Sequence, residues 1–169
     1  GSKINVYNED IVCSWAAKKI NRAIKWVAER SESFLTDIHG RDHVTHAELA
    51  VTNDGKFLGF KNETIANLGA YARVFGTVTP TYLFGPCATG VYEIPAAYSN
   101  VKAVFTNTAP VDAYRGAGRP EATYTIERLV EKASMELGID KTELRMKNFP
   151  TAFPFKQTLV HTVDSGDYV

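Results

Sequence analysis

The sequence predicts an α+β domain, with an antiparallel, hairpin-rich sheet in its middle and helices at both ends. Apolar residues recur at period two on either side of a turn in the middle of the chain. They recur instead at helical spacing near the beginning of the chain and again after Pro120. No internal repeat or Gly/Ser-rich linker interrupts the chain, so we treat residues 1–169 as a single domain.

The first third of the chain contains the first predicted helix. Asn8 precedes two acidic residues, apolar side chains then recur at helical spacing as far as Ile20, and basic residues stand near its end. Acids in the first turn and bases in the last suit the helix dipole, so we predict a helix over residues 9–21. Residues 23–28 alternate between apolar and polar side chains, which predicts a short strand.

A β-hairpin is predicted in the middle of the chain. Apolar residues at period two lie within residues 43–52, and more follow in residues 57–60. Between them stands Asn53-Asp54-Gly55, whose residue types suit the positive φ angles of a hairpin turn. Further extended stretches are expected near residues 62–75 and 101–106. The inward-facing residues of the first strand are predicted to be Ala47, Leu49 and Val51.

Two helices are predicted in the last third of the chain. Pro120 opens a run whose apolar side chains share one helical face, and Gly138 closes it. Asp140 and Glu143 then have the spacing of a capping box, which predicts a second, short helix. The chain from Phe149 onward is expected to be irregular. The apolar face of the longer helix is predicted to comprise Ala122, Ile126, Leu129, Val130, Ala133 and Leu137.

The composition argues against several classes of function. Nineteen Lys and Arg residues balance nineteen Asp and Glu residues, so no broad basic field is available for nucleic acid. No apolar run approaches the ~20 residues that a membrane helix needs. Cys13 and Cys87 are the only cysteines, which is too few for a disulfide framework, and we expect both to be partly buried thiols. We therefore expect a cytoplasmic protein with no nucleic-acid partner and no membrane insertion.

The segment DAYRGAGRPE, residues 112–121, is the most informative part of the sequence. Gly116 and Gly118 stand just before a helix, where free backbone N–H groups on a loop without Cβ atoms can approach an anion closely. Arg115 and Arg119 would add side-chain donors. A tight turn with two solvated arginines explains the same pattern, and residue types alone favour it. A dinucleotide-binding loop is disfavoured because the third glycine of its motif is missing.

The four histidines do not predict a metal site held by protein ligands. His43 and His46 are three residues apart in a predicted strand, so they point to opposite faces. No spacing of carboxylates or thiolates completes a ligand set. We expect structural or solvated side chains for His39, His43, His46 and His161.

Several segments together resemble one family, the large subunits of molybdenum hydroxylases, which include xanthine dehydrogenase, aldehyde oxidase and carbon monoxide dehydrogenase. They occur in family order over nearly the whole chain, and the loop AYRGAGRPE with its helix is the most specific of them. The other segments are IKWVAERSESFLTDIHGRDHVTHAELAVTNDGKFLG, GVYEIPAAYSNV, ELRMKNF and DSGDYV. The resemblance implies that the chain is a fragment of the molybdopterin-binding region of a longer subunit.

The family resemblance also implies a chemistry and a set of partners. It implies a molybdenum ion held by a pterin cofactor in dinucleotide form, and hydroxylation of an aldehyde-like or heterocyclic substrate with oxygen from water. Iron–sulfur clusters and FAD would lie on partner domains or subunits, so the partners are the rest of the large subunit, these subunits and a small-molecule substrate. The glutamate base of the family lies beyond this sequence, so no catalytic residue is present and the isolated chain is expected to be inactive.

Carried over by position, the resemblance assigns cofactor contacts to the residues of the loop. Arg115 is the leading contact, Gly116 permits close approach, and Tyr114 precedes them. Gly1 would belong to a second cofactor loop if Gly1-Ser2-Lys3 is native sequence and not the remnant of an expression vector.

Two further residues bear on the substrate. Ala117 stands where purine-oxidising members carry a phenylalanine, and Leu83 falls near the place of their purine-binding arginine. Both differences argue against xanthine, and the loop lacks the cysteine with which carbon monoxide oxidisers hold copper.

The alternative is a non-catalytic interaction or scaffold module that has lost the chemistry. The two hypotheses differ at Arg115, because its replacement in the parent assembly impairs turnover only if the chain serves a cofactor. In either case, we expect the separated domain to expose apolar surface that its neighbours would cover.

Overall fold

The computed structural model describes residue 4 and residues 6–168, and every structural statement below concerns these residues. The α+β class with helices toward both ends is confirmed. A π-helical turn, Thr79–Phe84, and a 3₁₀ turn, Gly85–Cys87, lie between the second and third strands. The other elements are α1 (Asn8–Ile20), α2 (Arg30–Thr36), β1 (His43–Val51), β2 (Phe57–Gly69), β3 (Ala96–Phe105), α3 (Arg119–Leu137), α4 (Lys141–Lys147), β4 (Phe155–Lys156) and β5 (Thr162–Val163).

The central sheet has three strands in the order β1-β2-β3, and only its first pair has the predicted antiparallel direction. The hairpin is confirmed: the Thr52 N–H donates to the Lys56 carbonyl at 3.0 Å, and Gly55 has a φ of 90°. The prediction of an antiparallel sheet is wrong for β2 and β3, which run parallel. Residues 70–95 cross from the end of β2 back to the start of β3, and such a crossover makes neighbouring strands parallel.

The strand predicted over residues 23–28 is wrong. This segment is irregular and exposed. Trp26 and Val27 are neighbours, whose side chains would point to opposite faces of a strand, yet both are exposed to solvent. An alternating sequence pattern does not show whether a second strand is available, and a strand needs a neighbouring backbone to pair with. No described residue pairs with this segment. The extended stretches are partly confirmed, since β2 ends at Gly69 and β3 begins at Ala96.

The predicted helices are confirmed with small shifts of their ends. Helix α1 covers Asn8–Ile20, and α3 ends at Leu137, just before Gly138, whose φ of 67° is the left-handed conformation of a helix stop. The Asp140 side chain accepts from the N–H groups of Thr142 and Glu143 at 2.8 and 3.1 Å, which caps α4.

The buried core lies between the β1–β2 hairpin, α3 and α4. Asn148, fully buried after α4, ties these elements together: its Nδ2 donates to the carbonyls of Gly55 and Leu144, and its Oδ1 accepts from the N–H of Phe57. The predicted inward residues of β1, and four of the six predicted residues on the apolar face of α3 (Ile126, Leu129, Val130 and Ala133), belong to or pack against this core. Its buried members are Phe57, Phe60, Ala88, Tyr92, Ile94, Ile126, Val130 and Leu144.

The amino-terminal part of the chain packs differently. Neither α1 nor α2 buries a residue, and large apolar side chains such as Ile11, Trp15 and Leu35 are exposed. This confirms the expectation of uncovered apolar surface. Cys13 and Cys87 are both free and partly buried, as predicted. In the part of the chain that the structure describes, no helix is long and apolar enough to cross a membrane.

Candidate functional site

The residues 114–118, which we call the glycine loop, form a tight turn that leads directly into α3. Three successive residues have left-handed backbones, with φ angles of 101° at Gly116, 39° at Ala117 and 85° at Gly118. The Ala117 N–H donates to the Tyr114 carbonyl at 2.7 Å. Glycine is required at the two larger angles because a side chain is strained there.

Gly118 holds the glycine loop against the π-helical turn. A Cβ on Gly118 would lie 2.7 Å from both the Phe84 nitrogen and the Thr79 carbonyl oxygen, and 2.8 Å from the Leu83 carbonyl carbon. Only a residue without a Cβ permits this approach. The structure therefore brings Leu83 next to the loop that contains Ala117.

Arg41 contacts the glycine loop at two points and the first turn of α3 at a third. Its Nη2 donates to the carbonyl oxygen of Arg115, and its guanidinium carbon lies 4.5 Å from the centre of the Tyr114 ring. Its Nε lies 3.7 Å from the Oε1 of Glu121 in the first turn of α3. Sequence reasoning missed Arg41, because nothing in its local pattern marks it as a partner of a loop more than seventy residues away.

The segment before Arg41 runs parallel to the segment that enters the glycine loop. The His39 N–H donates to the Pro110 carbonyl at 2.9 Å, and the Asp112 N–H donates to the His39 carbonyl at 2.8 Å. A Cβ on Gly40 would lie 2.7 Å from the Cβ of Tyr114, so Gly40 allows the two segments to touch. This pairing places the backbone of Arg41 next to the glycine loop.

The polar groups around the glycine loop suit an anionic cofactor. Arg115 and Arg119 are exposed, and neither forms an ion pair within the described residues. The Thr79 hydroxyl, on the turn that packs against Gly118, is buried and has no hydrogen-bond partner among the described residues. Two available cations and an unpaired hydroxyl beside a helix start fit the phosphate and polar ring edges of a pterin cofactor.

A groove of about 920 Å³ lies beside the loop, between β1 and α3. Arg41, His43 and Glu121 line it near the loop. The His43 Nδ1 and the Glu121 Oε2 are both buried there without a partner among the described residues. Burial lowers the pKa of His43, although the charge of Glu121 opposes this shift, so His43 is neutral at pH 7.

The family comparison agrees with this geometry. The family model described as "Molybdopterin cofactor-binding domain" matches residues 1–149. This chain belongs to the molybdopterin cofactor-binding domain family. Its relatives include the 6-hydroxypseudooxynicotine dehydrogenase complex subunit gamma of Paenarthrobacter nicotinovorans, 39% identical over 100% of this chain and 22% of the relative. The carbon monoxide dehydrogenase large chain of Hydrogenophaga pseudoflava is 40% identical over 99% of this chain and 21% of its own.

A solved structure shows the same fold for this molybdopterin cofactor-binding domain. Quinoline 2-oxidoreductase from Pseudomonas putida 86 superposes with a TM-score of 0.88 at 31% identity, over 95% of this chain and 21% of that chain. The chain thus spans about a fifth of the length of the relatives that it matches.

The remaining candidate residues of the molybdopterin cofactor-binding domain fall outside the loop. His43 and His46 do face opposite ways: His43 packs edge-on against Phe84, whereas His46 is 75% exposed. Within the described part of the chain, no group of three or more His, Cys, Asp or Glu residues could hold a metal ion. Burial raises the pKa of the Cys87 thiol, and the charge of Arg119 only partly offsets it. Gly1 lies outside the described residues.

Proposed function

We propose that this chain is a section of the large subunit of a molybdenum-dependent oxidoreductase, in which the glycine loop receives the molybdopterin cofactor. The observation that carries the proposal is the loop itself: two available arginines on a turn that begins α3, in a chain of the molybdopterin cofactor-binding family. The alternative, a scaffold module without chemistry, does not explain why exposed cations stand at this one strained turn.

Within this proposal, each loop residue has a separate role. The Arg115 guanidinium neutralises negative charge on the cofactor, the backbone at Gly116 allows close approach, and Tyr114 orients the loop through its ring. When bound, the cofactor supplies the oxidation of a carbon centre with oxygen from water. The chain itself contributes placement and charge, since the protein's share in cofactor enzymes is binding, orientation and electrostatics. We assign Gly1 to a second cofactor contact.

For the whole subunit, we propose an aldehyde-like or heterocyclic substrate. Ala117 and Leu83 place small or apolar groups at the loop and at the turn packed against it, which suits a substrate without purine hydrogen-bonding groups. The names of two relatives, a quinoline 2-oxidoreductase and a 6-hydroxypseudooxynicotine dehydrogenase, support a nitrogen heterocycle. A loop without cysteine argues against carbon monoxide.

The proposed partners are the remaining part of the large subunit and subunits that carry iron–sulfur clusters and FAD, in the cytoplasm. The uncovered apolar surface of α1 and α2 supports the first of these partners. So does the length of the relatives, about five times that of this chain.

The experiment uses the complete large subunit in its native assembly, with Arg115→Gln and, as the matched control, Lys61→Gln on the exposed face of the hairpin. Removing a charge-assisted contact weakens binding about tenfold or more, so Arg115→Gln is expected to reduce both molybdenum content and turnover of an N-heterocycle. The control is expected to retain both. Wild-type molybdenum content and turnover in Arg115→Gln would favour the scaffold alternative.

A further inference from the structure

We propose that Arg41 is a positioning residue for the glycine loop and that Glu121 anchors it. This inference rests on the proposed function, because it assigns to Arg41 the task of holding the loop in the conformation that receives the cofactor. Arg41 belongs to neither the loop nor α3, yet it contacts both.

Arg41 restrains the glycine loop at two separate points. The hydrogen bond to the Arg115 carbonyl fixes the backbone of the residue proposed to meet the cofactor. The guanidinium stacked on Tyr114 fixes the start of the loop. Arg41 engages only the backbone of Arg115, and Arg115 itself is exposed.

The backbone of Arg41 indicates that its position is imposed by these contacts. Arg41 has a φ of 61°, a left-handed conformation that costs energy for any residue with a side chain. Such conformations persist where surrounding contacts over-determine them, and they cluster at functional sites. The parallel pairing of residues 39 and 111 delivers Arg41 to this place.

Glu121 links the loop to the helix that follows. Its side chain is only 10% exposed, and one oxygen lies 3.7 Å from the Arg41 Nε. A buried carboxylate requires a cation nearby, and Arg41 is the cation that the structure provides. Glu121 therefore holds the Arg41 guanidinium between the loop and the first turn of α3.

The test compares Arg41→Met, Arg41→Lys and Glu121→Gln in the complete large subunit. The matched control is Lys61→Met, because Lys61 is also a cation paired with carboxylates, Glu48 and Glu63, but on the exposed face of the hairpin and away from the loop. Hydrogen exchange of the Ala117 and Arg119 amides reports the loop directly, whether or not cofactor is bound. Molybdenum content and the Mo(V) electron paramagnetic resonance spectrum report its effect on the site.

In Arg41→Met, the loop amides are expected to exchange about tenfold faster, as loss of a charge-assisted hydrogen bond predicts, while amides in the middle of α3 are unchanged. Glu121→Gln is expected to increase the exchange rate of the loop amides about two- to threefold, which is the effect of losing a partly exposed ion pair. Arg41→Lys, which keeps the charge, is expected to recover part of the protection and a spectrum closer to wild type. Lys61→Met is expected to match wild type in every measurement.

Loop exchange in Arg41→Met equal to that in Lys61→Met would overturn the inference, and so would equal acceleration throughout α3, which indicates general destabilisation. A wild-type large subunit that contains no molybdenum would instead contradict the proposed function. In that case, the exchange rates still decide whether Arg41 positions the loop.

Discussion

Helices α1 and α3 have similar sequence patterns but opposite environments. Each has at least one acidic residue in its first turn, and both carry apolar side chains at helical spacing. Helix α3 buries Ala122, Ile126 and Val130 in the core, whereas α1 buries nothing. The comparison shows that local signals suffice to form a helix, but only tertiary partners decide whether its apolar face is used.

This difference divides the chain into two regions. The packed region consists of the hairpin, α3 and α4, which bury a shared core with their own residues. The uncovered region consists of α1, α2 and the irregular segment between them, and its apolar side chains have no cover among the described residues. We infer that the rest of the large subunit covers the second region, and the following predictions test the division.

Aspartate at matched valines in the two regions is expected to give the largest contrast. Val130 in α3 is 0% exposed, so Val130→Asp buries an unpaired charge and is expected to cost about 4 kcal/mol or more, which unfolds the chain. Val12 in α1 is 59% exposed, and Val12→Asp is expected to change the free energy of unfolding by about 0.5 kcal/mol at most. Urea denaturation of the 169-residue chain measures both, and equal losses would contradict the division.

The link at Asn148 is expected to give the next largest effect. Asn148→Ala removes three buried hydrogen bonds and leaves the Phe57 N–H and the Gly55 carbonyl unpaired, at an expected cost of about 3 kcal/mol. Asn107→Ala, at an exposed position, is the control and is expected to be neutral. The measurement is the denaturant midpoint of each variant relative to wild type. A neutral Asn148→Ala would show that the hairpin and α4 are not coupled through this side chain.

Substitutions at Gly118 and Gly138, which both have a positive φ, distinguish the cost of a steric clash from the cost of backbone strain. Gly118→Ala places a Cβ 2.7 Å from backbone atoms of the π-helical turn, whereas Gly138→Ala meets nothing within 4 Å. In both variants the alanine is strained in the left-handed conformation that glycine adopts freely, which costs about 1 kcal/mol of folding stability. Thermal unfolding is therefore expected to show an additional loss of about 1–3 kcal/mol in Gly118→Ala alone. Identical losses would mean that the loop does not pack against the turn.

His43 gives the smallest effect, and it depends on pH. Its pKa is lowered mainly by burial, so the folded chain binds fewer protons than the unfolded chain just below pH 6.5. This contribution to stability is complete above pH 6.5, and it is lost as the pH falls from there through the lower pKa of His43 in the folded chain. In urea titrations at pH 7 and pH 5, wild type is expected to lose more stability than His43→Asn, whereas exposed His46→Asn is expected to follow wild type. Parallel behaviour of wild type and His43→Asn would contradict the burial of this side chain.

Sequence patterns predicted those features whose causes are local. The hairpin turn at Gly55, the stop at Gly138 and the cap at Asp140 all follow from the residue types at those positions. The parallel direction of β3 and the irregular path of residues 23–28 did not follow, because strand pairing depends on distant parts of the chain. The same reason explains why Arg41 was missed, since its partners are defined by the fold.

The most direct test of the account is hydroxyl-radical footprinting of Trp15 and Trp26, the two tryptophans of the chain, both exposed in the uncovered region. The measurement compares the 169-residue chain with the complete large subunit. The account predicts rapid oxidation of both side chains in the separate chain and strong protection in the complete subunit. Equal oxidation in the two forms would contradict it, because the rest of the subunit would then leave this surface uncovered.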